Sequence, residues 1–199
     1  MVNLYSQDRE ALDNLMRRAT LFAITTMRDY GEIEPTLFMS GVAGNGRFTV
    51  PYLADEQAKD EFAKLAHIAC VAHGADAVVF VTEAWMSKMI QEGKLDLSVP
   101  PSQAPDRQEA VVLMGQIRGR YIQKPLLIER NRTGEYQGLV PGEIVEGSEA
   151  IGRFAHFLPP EKPDETTREL AKEMLQQMSI VAQVAVNRQP ERGLGRAMF

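Results

Sequence analysis

The chain has 199 residues, 44% of them hydrophobic and 25% charged, which is ordinary material for one globular core with appendages. Its formal net charge of −5 argues against broad, sequence-independent nucleic-acid binding, which needs a Lys/Arg surface to neutralise many phosphates, and leaves room for no more than a local basic patch. The opening MVNLYSQDRE has no basic region followed by an apolar run, and no stretch approaches the roughly 20 apolar residues of a spanning helix, so the expectation is a soluble, cytoplasmic protein without membrane contact.

Cys70 is the one cysteine, so no internal disulfide is expected, and 10 methionines fit a reducing compartment. The first element is a helix over residues 7–30, where Leu12, Leu15, Met16, Ala19, Phe22, Ala23 and Met27 recur at helical spacing behind an N-cap at Ser6. TLFMSG at 36–41 and RFTV at 47–50 read as a hairpin, with Gly44, Asn45 and Gly46 supplying its turn. A second helix follows over 55–73, with Ala58, Phe62, Leu65, Ala66 and Ala69 on one face and Gly74 as its stop.

AVVFVTEAWM at 77–86 is apolar on both parities up to Val81, the pattern of a central strand. Strands at 109–117, 120–130 and 135–140 complete an antiparallel meander, with Pro125 expected at an edge or bulge because it lacks an N–H. Residues 141–163 are rich in Gly, Pro and Glu. An amphipathic helix then runs to about residue 187 with Leu170, Met174, Met178, Val181 and Ala185, read either as core cover or as a docking helix. RQPERGLGRAMF at 188–199 reads as a mobile basic tail behind a single domain over 1–187.

The fold class expected is α+β: one antiparallel sheet flanked by helices. The order helix, hairpin, helix, meander, helix resembles the roadblock/longin branch of profilin-like folds, which run helix, two strands, helix, three strands, helix; that resemblance implies a sheet edge or face used for dimerisation. A second resemblance rests on residues: Thr82, Glu83, Ala84, Trp85, then Pro101, and Pro105, Asp106, Arg107 and Glu109 before an apolar strand. These are similar to a group of uncharacterised bacterial proteins with an (S/T)EAW … PDRxE core, over roughly residues 55–130. It implies a bacterial or phage source and no assigned activity.

Glu83 and Trp85 share a strand face, as do Arg107 and Glu109, and antiparallel pairing lets the four meet. One reading is a latch, in which Arg107 forms an ion pair with Glu83 or Asp106 while its guanidinium, or the rings of Pro101 and Pro105, cover Trp85. It would close a connection of about 20 residues, longer than the ~12 to 15 usual for unstructured loops. The other reading makes Glu83, Asp106 and Glu109 a carboxylate cluster for metal-assisted hydrolysis, although the Glu-x-Lys partner of restriction-type nucleases is missing.

His67, Cys70 and His73 could be metal ligands on paper, but helical geometry spreads the two imidazoles about 9 Å apart along the axis. A partly buried His73, an inert Cys70 and a solvated His67 are expected instead. GVAGNGRF at 41–48 lacks the Gly-Lys-Ser/Thr ending of a phosphate loop and leads into a strand.

Three functions stay open: a non-catalytic interaction or regulatory module forming a homodimer or contacting a protein partner, a small metal-assisted hydrolase, and a ligand-binding protein with its pocket at Trp85. No cofactor and no resident metal are implied.

Overall fold

The computed structural model describes residues 4–50, 53, 55–88, 94, 98–148 and 153–187, the side chains of 4–6 and 179–187 excepted. Helix α1 (Leu4–Tyr30) leads into the hairpin β1 (Thr36–Gly41) and β2 (Gly44–Thr49). Helix α2 (Glu56–His73) follows, then β3 (Ala75–Met86), β4 (Gln108–Ile117), β5 (Arg120–Arg130), β6 (Tyr136–Pro141), β7 (Val145–Gly147) and α3 (Glu165–Asn187). All pairings are antiparallel, in the order β2-β1-β3-β4-β5-β6, with β7 on β5. The fold is thus α+β with a single antiparallel sheet flanked by helices. The strands after α2 run to five where the roadblock resemblance implies three, β7 lying in the stretch expected to be irregular.

Leu12, Leu15, Ala19, Ala23 and Met27 form the buried line of α1 and pack on Val79, Val81, Val111 and Leu113 of the central strands. This explains the double-parity apolarity of β3. Ala77, Val79 and Val81 face α1, while Val78 and Phe80 face Phe62, Ala66 and Cys70 of α2 together with Phe157. In that second core Phe80 packs against Phe62 and Phe154 in tilted pairs and against Phe157 edge-on, at centroid distances of 5.0, 5.0 and 5.5 Å. Each such pair adds about 0.5–1.5 kcal/mol beyond area burial. Phe154 and Phe157 come from a strap over residues 153–158, pinned by one buried side chain: Gln116 Nε2 donates to the Phe154 carbonyl at 2.8 Å and its Oε1 accepts the Phe157 N–H at 3.3 Å.

Several boundaries differ from expectation, each for a local reason. Helix α1 begins at Leu4, so Ser6 lies within the helix and is not its cap. The hairpin turns at Val42 and Ala43, ahead of the glycines expected to turn it. Its tip is docked on the end of α2, where Val42 N–H donates to the Gly74 carbonyl and Ala43 N–H to that of His73. Gly74 closes α2 in the left-handed conformation at φ 60°, and Gly41 passes so close to it that a β-carbon at 41 would strike the Gly74 carbonyl. The cap at the other end of α2 is Asp55, which accepts the Ala58 N–H at 2.7 Å.

Pro125 pairs with Val112 on one side and on the other falls between the segments of β5 that pair with β6 and β7, where no N–H is called for. On α3 the contact with the core is made by Ala171 and Leu175, while Leu170, Met174 and Met178 point outward. The core-cover reading is therefore corrected for Leu170, Met174 and Met178; Val181 and Ala185 lie outside the described side chains, and the tail at 188–199 outside the described residues. Among the described residues no helix is long and apolar enough to cross a membrane.

Candidate functional site

Strand β1 pairs with β3 only as far as Thr36 opposite Val81, whereas β4 stays paired with β3 out to Met86. Residues 82–86 therefore extend past β1 as an overhang, with Glu83 and Trp85 continuing the α1 face and Thr82, Ala84 and Met86 the opposite one. The link from α1 to β1 passes beside it. There the Ile33 N–H donates to Glu83 Oε1 at 2.6 Å. Glu83 is exposed as a residue, yet its carboxyl is engaged by this link. Loss of water around the group pushes its pKa up, and Glu109 and Glu32 push the same way, against the Ile33 N–H and Arg130.

Register places Trp85 opposite Glu109, and Glu109 Oε2 accepts Arg130 Nε at 2.7 Å. The Arg107 guanidinium lies over the Trp85 ring, 5.5 Å from its centroid, and donates through Nη1 to the Ser102 carbonyl at 3.2 Å. No ion pair among the described residues joins Arg107 to Glu83 or Asp106, so the latch is corrected: the stacking is present and the charge pairing is not. The loop base is instead closed by Ser87, a buried residue that donates to Asp106 Oδ1 at 2.6 Å.

Glu83, Asp106 and Glu109 thus each have a separate partner. Among the described residues no three His, Cys, Asp or Glu side chains come together as a metal site. In α2, Cys70 is fully buried and burial pushes its thiol pKa up to about 12. His73, half-buried, bonds the Gly44 carbonyl at 3.0 Å, and His67, expected in solvent, is half-covered and bonds the His156 carbonyl at 3.2 Å.

A cleft of about 800 Å³ runs along the β3 overhang. Ala84, Met86, Val112, Met114 and Phe154 give it an apolar lining, and Trp85, 41% exposed, stands in its wall. Its charged lining is unequal. Lys59 and Arg153 both bond Glu56, each at 2.6 Å, which holds that carboxyl at a pKa of about 2. Glu32, Glu34 and Glu83 form the remaining, acidic side.

Sequence reasoning singled out Glu83 and Trp85 here but missed Ser87, Glu32, Glu34, Arg153 and Phe154. A signal existed for the last: two phenylalanines three apart, Phe154 and Phe157, in an otherwise Gly/Pro-rich segment. No family model, no curated protein and no solved structure matches the chain.

Proposed function

We propose that the protein is a non-catalytic binding module whose recognition site is the Trp85 cleft, and that its ligand carries an apolar body and a cationic group. The observation that supports this reading is the cleft itself, of a size usual for small-molecule sites, with apolar and aromatic residues in its lining and Glu32, Glu34 and Glu83 along one side. An ammonium group would meet carboxylates there, and the body would bury against Met114 and Phe154. The test is a titration with matched apolar ammonium compounds and their neutral alcohol analogues, followed by the emission of Trp85, the single tryptophan. A saturable change with the ammonium compounds alone supports the reading; equal response to both sets, or to neither, overturns it.

A second reading, self-association, is favoured by one specific surface. Leu21, 67% exposed, Ile24 and Ile144 stand together on the outer side of α1 and the approach to β7, around a shallow cleft of about 540 Å³. Its rim carries Asp13 and Glu146 with Arg17 and Lys124, so a two-fold copy can set acid against base. Sedimentation of the wild type and of Leu21→Glu checks it: a dimer converted to monomer supports the reading, and a monomeric wild type ends it.

A further inference from the structure

A third cleft, about 420 Å³, lies beside the turn from β4 to β5 and shares none of its described lining with the Trp85 cleft. The strap stands between them, Phe154 facing one and Ala155 the other. In a protein of net charge −5, the described lining of this cleft contains no carboxylate, while His67, His156, Arg118 and Arg120 all border it.

Among the described residues the surrounding charges do not cancel. Arg118 and Lys162 share Asp76, at 3.2 and 2.9 Å, and Arg120 pairs with Glu146, so among the described residues three cations are served there by two carboxylates. Arg118 is fixed by a further bond to the Ala75 carbonyl at 3.1 Å, a rigid cationic wall. Arg120 is held by the Glu146 carboxylate on β7. The rest of the lining includes Ile117, Leu158 and Pro159, which suit an apolar body and not a bare ion. We propose that this cleft binds a small organic phosphate monoester. Its phosphate would engage the Arg120 guanidinium and the two imidazoles, and its organic part would lie on the apolar wall.

Titration calorimetry of the full chain with phenyl phosphate, inorganic phosphate and phenol tests this. Phenyl phosphate is expected to bind saturably and more tightly than inorganic phosphate, and phenol not at all. Arg120→Gln is expected to weaken phenyl phosphate about tenfold, by loss of one charge-assisted contact. Glu146→Gln, which releases Arg120 toward the cleft, is expected to strengthen it.

His156 is exposed on the strap, so His156→Ala provides a variant whose folding is safe, and it is expected to weaken binding in the same direction. No saturable heat with phenyl phosphate, or binding that neither Arg120→Gln nor His156→Ala weakens, overturns the proposal. So does a Glu146→Gln variant that binds less tightly than wild type, because Arg120 and Glu146 would then be a purely structural pair. These outcomes are independent of the Trp85 cleft, whose ligand is of opposite charge.

Discussion

The Ile33 N–H and the Glu83 carboxylate, fifty residues apart in the chain, meet at 2.6 Å and tie the exit from α1 to the overhang of β3. Glu83→Ala removes the acceptor and leaves a buried N–H without a partner, at an expected cost of about 1 to 2 kcal/mol. Glu83→Gln keeps an acceptor oxygen and removes the charge. The pKa of Glu83 is raised in the folded state, so the native chain binds this proton more readily than the unfolded chain.

Its contribution to stability therefore grows as pH falls through the raised native value and levels off below the ordinary glutamate value. Relative to wild type, Glu83→Gln is expected to be more stable at pH 7 than at pH 4.5. Urea unfolding at the two values checks this, and a difference that does not change with pH contradicts it.

Gln116 has both ends of its amide engaged by the strap, at 2.8 and 3.3 Å. Gln116→Leu keeps the bulk but strands the Phe154 carbonyl and the Phe157 N–H, with an expected loss of about 2 to 3 kcal/mol. Since the strap separates the two clefts, amide hydrogen exchange over 153–158 is expected to accelerate in this variant more than exchange in α1. Equal acceleration in both would mean that Gln116 supports the fold generally and not the strap.

Arg107 is exposed, and among the described residues its guanidinium touches the Trp85 ring and the Ser102 carbonyl. Arg107→Ala is therefore expected to cost no more than about 1 kcal/mol, far less than the loss of a buried ion-pair partner. The emission of Trp85 is nonetheless expected to change, because a cation leaves its face. Destabilisation beyond 2 kcal/mol would restore a latch role to Arg107.

Cys70 is fully buried with a thiol pKa of about 12, so it is expected to resist alkylation in the native state. Intact mass after iodoacetamide treatment at pH 8 is expected to be unchanged until denaturant is added. Rapid native labelling would show that α2 opens readily from the Phe80 core.

Reading the chain as helix, hairpin, helix, meander and helix succeeded because period and punctuation agreed with tertiary packing. The line Leu12, Leu15, Ala19, Ala23, Met27 is buried as its spacing requires, and Gly74 ends α2 where a left-handed residue is needed. The hairpin turn was misplaced because its tip is set by docking on the α2 terminus, a long-range contact that local glycine chemistry does not reveal. Leu170, Met174 and Met178 misled for the related reason that periodicity reports an apolar line without saying what it faces.

At the candidate site, strand alternation correctly put Glu83 and Trp85 on one face. Charge complementarity then suggested an Arg107 pair, but the carboxylates found nearer donors: the Ile33 N–H for Glu83, Ser87 for Asp106 and Arg130 for Glu109. A backbone N–H and a serine hydroxyl carry no sequence signature as partners, so this part of the site was not legible.

The most direct test of the Trp85 cleft as the recognition site is a two-dimensional ¹⁵N NMR titration with the tightest apolar ammonium compound from the fluorescence series. The single indole N–H signal of Trp85 and the amides of Ile33, Ala84 and Met114 are expected to shift together along one binding curve. An unmoved indole signal, with shifts gathered around Arg120 and His156 or around Leu21 and Ile24, would contradict the account.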